Sequence, residues 1–204
     1  MSRPANPAAR AVFLDKDGTL IDNIAFNVDP IQITLAEGAA EGLYLLARKG
    51  YRIVVVSNQP GVALGIFPEH ALRAVEARLR ELLHFIGVPL SGFYYCPHFP
   101  DGTVAQYDVP CTCRKPSSGM LFRAARDHAL DLQRSWMIGD ILDDIEAGRG
   151  AGCRTLLIDN GNETEWDLTS ERQPHKVATD LFEAAALIVG ADTRTGPMSA
   201  GTYA

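Results

Sequence analysis

The amino-acid sequence predicts an α/β fold of three layers, with helices on both faces of a mostly parallel sheet. Short apolar runs that each end at a polar residue are typical of buried strands, and helical segments lie between them. Strands that alternate with helices favour parallel pairing, because each connection has to cross the sheet. We therefore expect a Rossmann-like αβα arrangement. The predicted strands are residues 11–14, 52–56, 136–138 and 155–158.

Two helical segments are well defined in the sequence. Residues 37–49 end at Gly50, a residue type that is favoured just beyond a helix C-terminus. Residues 68–86 begin with a proline, which suits the first helical turn, and carry apolar side chains at alternating three- and four-residue spacing. Weaker helical patterns at 120–130 and 180–189 complete the prediction.

Length and composition indicate a single domain. The chain has 204 residues, and 47% of them are hydrophobic, which is enough to fill a sizeable core. Residues 11–190 form the predicted domain. The Pro- and Ala-rich segment 1–10 and the small, polar segment 191–204 are expected to be loosely ordered tails.

The charge balance and the lack of long apolar runs limit the partners. A formal net charge of −6 argues against a broad basic face for nucleic acid. No apolar run approaches the roughly 18 residues that a membrane-spanning helix needs, and the first residues lack the pattern of a signal peptide. We expect a cytoplasmic monomer that binds neither nucleic acid nor membrane. The net negative charge is compatible with small anionic substrates, provided that local cations or a metal bind them.

Candidate catalytic acids follow the first and third predicted strands, where a parallel sheet forms its ligand crevice. Asp15 and Asp17 come directly after the first strand, and Asp140 follows the third. Asp15 is a candidate carboxylate nucleophile toward phosphorus, and Asp17 is a candidate acid and base. A magnesium ion held by Asp15 and Asp140 would screen these charges. The alternative is an Asp-rich turn without a chemical role.

Polar and basic residues add candidate contacts to a phosphoryl group. Ser57 and Asn58, at the end of the second strand, could donate hydrogen bonds to phosphoryl oxygens. Arg114 and Lys115 precede a predicted helix, where cations could neutralise an anion near the helix N-terminus. Asp144 lies four residues after Asp140.

In chain order these segments resemble the four motifs of the haloacid dehalogenase (HAD) superfamily. The resemblance implies that Asp15 becomes a phosphoaspartate, that the Asp17 backbone carbonyl also reaches magnesium, and that Ser57 and Lys115 hold the transferring phosphoryl group. The matching residues are Asp15-Lys16-Asp17-Gly18-Thr19, Ser57-Asn58-Gln59, Arg114-Lys115-Pro116, and Gly139-Asp140 with Asp144.

A loop at residues 96–113 carries a candidate structural zinc site. Cys96, His98, Cys111 and Cys113 supply three thiolates and one imidazole, a complete tetrahedral set for Zn²⁺ that leaves no position for a substrate water. A polar loop of this length has little core of its own and gains stability from such a site. Because Cys113 precedes the Arg114-Lys115 pair, the metal would also fix the base of that pair. The alternatives are a chance cluster of thiols or a Cys111/Cys113 redox pair.

This loop resembles the HAD branch that contains heptose-bisphosphate and histidinol-phosphate phosphatases. The resemblance implies a small or absent cap, a substrate contact from Arg114, and residues 22–26 beside the sugar. It implies magnesium-dependent removal of the 7-phosphate from a heptose 1,7-bisphosphate, with histidinol phosphate as the alternative substrate. A non-catalytic zinc-binding module is the alternative from another class. The implied substrate contacts are Asn23, Phe26, Ser57, Asn58, Gln59, Pro60, Arg114 and Lys115.

Five positions differ from what the heptose-specific enzymes usually carry. The substrate preference depends on them, because they leave fewer cations around the opening to bind a second phosphate. The phosphoryl chemistry does not depend on them. The five residues are Pro60, Leu64, Phe99, Ser117 and Ile141, in place of serine, arginine, histidine, a basic residue and lysine.

Overall fold

The computed structural model describes residues 8–194, and its centre is a six-stranded sheet in which every neighbouring pair is parallel. The strand order is β3-β2-β1-β4-β5-β6. The strands are β1 (Ala11–Leu14), β2 (Arg52–Asn58), β3 (Leu90–Cys96), β4 (Trp136–Gly139), β5 (Arg154–Ile158) and β6 (Lys176–Ala178).

Within residues 8–194, five α-helices cover the two faces of this sheet. Their bounds are α1 (Ala39–Arg48), α2 (Leu72–Phe85), α3 (Gly119–His128), α4 (Leu142–Gly150) and α5 (Leu181–Arg194), with 3-10 turns at Pro30–Gln32, Glu69–Ala71 and Leu132–Arg134. Helices α1, α2 and α5 share one buried cluster with Val12 and Leu14, whereas α3 and α4 pack with Ala11 and Phe13 on the other face. Successive side chains of β1 therefore pack into the two clusters in alternation. The predicted three-layer α/β fold is confirmed.

The sequence predicted four of the six strands and four of the five α-helices. It did not predict β3, because its sequence LSGFYYC mixes serine and glycine with aromatic residues instead of forming one apolar run. Strand β6 has only three residues, and α4 carries two aspartates and two glycines. These elements form because neighbouring strands and the sheet surface supply partners that local sequence does not reveal.

The ends of the chain fall largely outside the described residues. Of the predicted tails, residues 1–7 and 195–204 are not described, so this structure does not address their order. Helix α5 continues to Arg194, four residues beyond the predicted domain end at 190. Within residues 8–194, no helix combines the length and apolar character needed to cross a bilayer.

The strand order places a crevice at the carboxyl ends of β1 and β4. The chain runs from β1 outward to β2 and β3, and β4 then pairs with the other side of β1. The loops that follow β1 and β4 therefore diverge, which is where ligands bind in open parallel sheets. The connection at 15–38 contains one 3-10 turn and, within the described residues, no cap domain covers the crevice.

Two helical glycines test the close contact between α1 and α5. A Cβ at Gly42 would lie 2.4 Å from the carbonyl oxygen of Leu181, whereas a Cβ at Gly190 would meet nothing within 4 Å. We expect Gly42→Ala to lower the free energy of unfolding by about 1–3 kcal/mol through overpacking. Gly190→Ala should raise it by about 0.5–1 kcal/mol, since alanine is the better helix former. Urea unfolding measures both, and equal effects of the two changes would contradict this packing.

Candidate active site

Asp15 lies at the bottom of the crevice, immediately after β1. Its backbone N–H donates to the carbonyl of Ile138 at 3.0 Å, which extends the pairing between β1 and β4 by one residue. Its carboxylate is buried and accepts a hydrogen bond from Lys115 Nζ at 2.5 Å. The Lys115 contact thus holds a carboxyl oxygen of Asp15 in place at the position where the two strands separate.

Lys115 is the central cation of this site. Besides Asp15, its Nζ lies 2.6 Å from Asp144 Oδ1 and donates to the backbone carbonyl of Val56 at 3.1 Å. The lysine is buried, which by itself favours the neutral form, but the two carboxylates outweigh this and hold the pKa of Lys115 above its ordinary value. The ammonium stays charged in a place where an unpaired charge would be costly.

Asp140 forms the second carboxylate of the crevice, after β4. Its Oδ1 accepts from Thr19 Oγ1 and its Oδ2 from Asn162 Nδ2, both at 2.8 Å. Burial, and then the charge of Asp15, raise the pKa of Asp140 to about 6. Gly18, with φ +82°, passes so close that a Cβ there would lie 2.3 Å from Asp140 Oδ2. The Asp-Gly turn therefore requires glycine for both conformation and space.

Asp17 is held at the mouth of the crevice by two donors. Lys16 Nζ donates to its Oδ1 at 2.5 Å, and Gln59 Nε2 donates to its Oδ2 at 3.2 Å. Burial raises the pKa of Asp17, and the adjacent ammonium of Lys16 opposes that effect. A carboxyl group with a raised pKa that remains partly exposed is suited to exchange protons with a bound molecule.

The last two residues of β2 and Gln59, which follows them, support this arrangement from the other side. Gln59 Nε2 also donates to Ser57 Oγ at 2.8 Å, which leaves the Ser57 hydroxyl proton for another acceptor. The Asn58 side chain pairs with the Lys115 backbone, donating to its carbonyl and accepting from its N–H, both at 3.0 Å. The Asn58 amide thus holds the Lys115 backbone, and its expected hydrogen bond to phosphoryl oxygens stays a prediction.

The acidic residues have the chemistry of a divalent cation site. Asp15, Asp140 and Asp144 are buried, and one ligand atom from each lies within 4.8 Å of the others. With Asp17 the site holds four carboxyl groups against the two ammonium groups of Lys16 and Lys115, an excess of two formal negative charges when all four are ionised. Burial accordingly raises the pKa of Asp17, Asp140 and Asp144. Carboxylate oxygens with this charge excess fit a hard divalent ion.

Three cysteines and a histidine converge next to the basic segment. Ligand atoms of Cys96, His98, Cys111 and Cys113 lie within 4.8 Å of one another, with Cys96 Sγ 2.9 Å from Cys113 Sγ and His98 Nδ1 3.3 Å from the latter. All four cysteines of the described chain are free thiols. Burial raises the pKa of the Cys96 thiol, so a cation is needed to hold it as thiolate. The donor set therefore fits a soft, tetrahedral metal.

Arg114 follows Cys113 and extends toward Phe99. Its guanidinium carbon lies 4.7 Å from the centre of the Phe99 ring. Within residues 8–194 it makes no ion pair, and its Nη1 is buried without a hydrogen-bond partner. Arg114, the sequence neighbour of Lys115, is therefore a cation with an unused donor.

The predicted sugar-side residues separate in the structure. Asn23 lines a cleft of about 420 Å³ together with Gly18 and Thr19, and its Nδ2 donates to Asn162 Oδ1 at 3.3 Å. Phe26 is 46% exposed and does not line this cleft. Pro60 lies in the turn after β2, where its carbonyl accepts from the N–H of Leu64 at 2.9 Å.

Sequence reasoning missed two polar contacts that shape the site. Asn162 belongs to the loop after β5, and only the pairing of β5 with β4 brings it to Asp140. Lys16, between the two aspartates, is buried and pairs with Asp17. The loop that carries Asn162 could have been found by examining the end of every predicted strand, because β5 was predicted and Asp159 directly follows it. Lysine between two acids carries no signal of burial.

Known proteins resemble this chain over most of its length. A HAD-hydrolase-like family model matches residues 112–184. The D-glycero-beta-D-manno-heptose-1,7-bisphosphate 7-phosphatase of Photorhabdus laumondii is 44% identical over 181 residues, covering 88% of this chain and 89% of that protein. The protein of the same name from Pasteurella multocida is 35% identical over 182 residues, covering 89% and 97%.

A solved structure shows the same architecture. The D,D-heptose 1,7-bisphosphate phosphatase from B. bronchiseptica, crystallised with magnesium and phosphate, superimposes with a TM-score of 0.71 at 26% identity. The alignment covers 89% of this chain and 99% of that one. The fold and the chain length therefore agree with those of these phosphatases.

The raised pKa of Asp140 predicts that the free energy of unfolding of the metal-free protein depends on pH. The folded chain holds the Asp140 proton more tightly than the unfolded chain between the ordinary pKa of 3.8 and about 6, so stability falls as pH rises through that window. Relative to Asp140→Asn, the wild type should lose about 2–3 kcal/mol between about pH 4 and pH 7. Urea unfolding with chelator measures this. A difference between the two proteins that is independent of pH would contradict it.

Proposed function

The chain belongs to the family of D-glycero-beta-D-manno-heptose-1,7-bisphosphate 7-phosphatases, which are HAD-type phosphatases, and we propose that it hydrolyses the 7-phosphate of this heptose bisphosphate. One observation carries the chemistry: Lys115 Nζ lies 2.5 Å from Asp15 Oδ1, with Asp140 and Asp144 alongside. A nucleophilic carboxylate, a phosphate-binding cation and further acidic groups thus share one crevice.

In the proposed first step, an Asp15 carboxylate oxygen attacks the 7-phosphorus and the bond from phosphorus to O7 breaks. Asp17 gives its proton to the departing oxygen, so that the sugar leaves as an alcohol. The raised pKa of Asp17 supports this role, because a carboxyl group must hold a proton before it can donate one. The product on the protein is an acyl phosphate at Asp15.

In the second step, Asp17, now a carboxylate, takes a proton from a water molecule that attacks the same phosphorus. The bond to the Asp15 oxygen breaks, phosphate leaves, and Asp15 and protonated Asp17 are restored. Lys115 and Ser57 are proposed to hold the phosphoryl oxygens in both steps. The hydrogen bonds from Gln59 to Ser57 and to Asp17 support this role, because they fix the position of the serine hydroxyl relative to the Asp17 carboxyl group.

We propose that Asp15, Asp140 and the backbone carbonyl of Asp17 hold Mg²⁺. The excess of formal negative charge in the crevice supports this assignment. When bound, the ion supplies positive charge that screens the carboxylates from the incoming phosphate and offsets charge on the phosphoryl oxygens. Asp144, which is fully buried and 2.6 Å from Lys115, is assigned as the counter-ion that fixes this lysine.

We propose that Cys96, His98, Cys111 and Cys113 hold a structural Zn²⁺. Sulfur and nitrogen donors without an acidic member favour zinc over magnesium at this position. The proposed role is indirect: the metal fixes Cys113 and hence the start of the Arg114-Lys115 segment. The alternative of a Cys111/Cys113 redox pair leaves the contacts of Cys96 and His98 with Cys113 without a purpose.

Every group assigned above comes from one chain, which supports the proposal of an active monomer. The alternative of a non-catalytic zinc module leaves the convergence of four carboxylates and two lysines unexplained, since such a cluster destabilises a fold unless ligands use it. The proposed zinc thiolates are suited to a reducing compartment, which supports a cytoplasmic location.

We expect Asp15→Asn to abolish turnover. The amide is a poor nucleophile, so phosphate release from D-glycero-β-D-manno-heptose 1,7-bisphosphate with Mg²⁺ should fall at least about a thousandfold. The wild type should release phosphate much faster from this substrate than from histidinol phosphate. Asp143→Asn is the matched control, because Asp143 pairs with Arg172 outside the crevice at 2.7 Å. Full activity of Asp15→Asn would contradict the mechanism.

We expect Cys111→Ser to lose the bound zinc. Purified wild type should contain about one zinc ion per chain by mass spectrometry, and the variant much less. Its kcat/KM should fall by about tenfold or more, because displacement of the Arg114-Lys115 segment by about 1 Å misplaces the groups that bind phosphate. Cys153→Ser, at a buried thiol outside the cluster, should keep the metal. A Cys111→Ser protein that retains both zinc and activity would contradict this assignment.

A further inference from the structure

The cations near the crevice differ in whether a carboxylate neutralises them. Lys16 pairs with Asp17 at 2.5 Å, and Lys115 lies between Asp15 and Asp144. Arg114 has no carboxylate partner within residues 8–194, and its buried Nη1 has no acceptor. Buried donors without acceptors are uncommon because they are costly, so an incoming anion that accepts from Arg114 would relieve this cost.

Phe99 is the residue that fixes the direction of Arg114. The guanidinium carbon lies 4.7 Å from the ring centre, which is the range of a cation–π contact. The backbone of Phe99 is held on both sides, since its N–H donates to the carbonyl of Tyr107 and its carbonyl accepts from the N–H of Gly102, both at 3.2 Å. The backbone that carries the ring is therefore held in place, whereas an arginine side chain alone is flexible.

The thiol cluster holds both members of this contact. His98 immediately precedes Phe99, and Cys113 immediately precedes Arg114. The distance from His98 Nδ1 to Cys113 Sγ is 3.3 Å, so one pair of cluster ligands sets the spacing of the ring and the guanidinium. The contact between Phe99 and Arg114 and the cluster of three cysteines and one histidine are thus linked through adjacent residues.

We propose that Phe99 is a positioning residue that orients Arg114 toward the second, non-reacting phosphate of the substrate; the proposal rests on the function proposed above. Stacking uses the flat face of the guanidinium and leaves its edge N–H groups free for an anion. The reacting phosphate is received by Lys115 and Ser57. Phe99 consequently affects substrate binding and not the phosphoryl-transfer step.

Kinetics of four variants test this role. Phe99→Leu should raise KM for the heptose bisphosphate by about three- to tenfold, with kcat changed less than about twofold. The kcat/KM for p-nitrophenyl phosphate, which has no second phosphate, should stay at the wild-type value. Phe99→Tyr keeps the ring face and should restore the wild-type KM. In an Arg114→Gln background, Phe99→Leu should have no further effect on KM.

Tyr94→Leu is the matched control for the loss of an arginine–aromatic contact. Arg123 lies over the Tyr94 ring at 5.5 Å, and neither residue belongs to the proposed site. This variant should keep the wild-type KM for both substrates. Zinc content and thermal unfolding of all variants show whether the fold is intact.

A spectroscopic measurement tests the contact without turnover. In nitrogen-15 NMR spectra, the Arg114 Nε–Hε proton should move downfield in Phe99→Leu, because the ring-current shielding is lost, and should stay in place in Phe99→Tyr. An unmoved resonance, or an unchanged bisphosphate KM in Phe99→Leu, would overturn the proposal. If the wild type releases no phosphate from the bisphosphate, the proposed function fails and the substrate role of Arg114 fails with it, while the resonance still reports the contact.

Discussion

The structure depends on one buried ammonium group. Lys115 Nζ contacts the carboxylate of Asp15 after β1, the carboxylate of Asp144 in the first turn of α4, and the backbone carbonyl of Val56 in β2. Three separate parts of the chain thus meet at a single charge, which could not stay buried without them. The same contacts fix the reacting groups and close the carboxyl edge of the sheet, so site geometry and local stability have one physical origin.

Within the described part of the chain, a small loop takes the place of a cap domain beside the Arg114-Lys115 segment. The segment that carries Arg114 and Lys115 is held on one side by Cys113 in the thiol cluster and on the other by the Asn58 amide. Tyr107 of the same loop donates to Glu69 at 2.6 Å, which ties the loop to the turn before α2. Rigid attachment at several points lets short loops position charges with the accuracy that phosphoryl transfer requires.

Hydrophobic periodicity and polar residues at strand ends predicted the fold class and the segments that form the crevice. The family was predicted from the resemblance of four motifs, in chain order, to those of the HAD superfamily. Asp15, Ser57 and Asp140 were identified as polar residues at strand ends, and their catalytic roles stay predictions. The support of Asp140 by Asn162 and the use of Asn58 on the Lys115 backbone were not predicted. Both contacts depend on how strands pair and loops turn, which residue types alone do not specify.

The most direct measurement asks which carboxylate carries the phosphoryl group. Enzyme quenched during turnover with Mg²⁺ can be treated with tritiated borohydride, which reduces an acyl phosphate to an alcohol and converts the aspartate to homoserine. Peptide mass spectrometry then locates the label. Homoserine at position 15, absent without substrate, is the predicted result. Label at position 17 or 140, or none while phosphate is being released, would contradict the account.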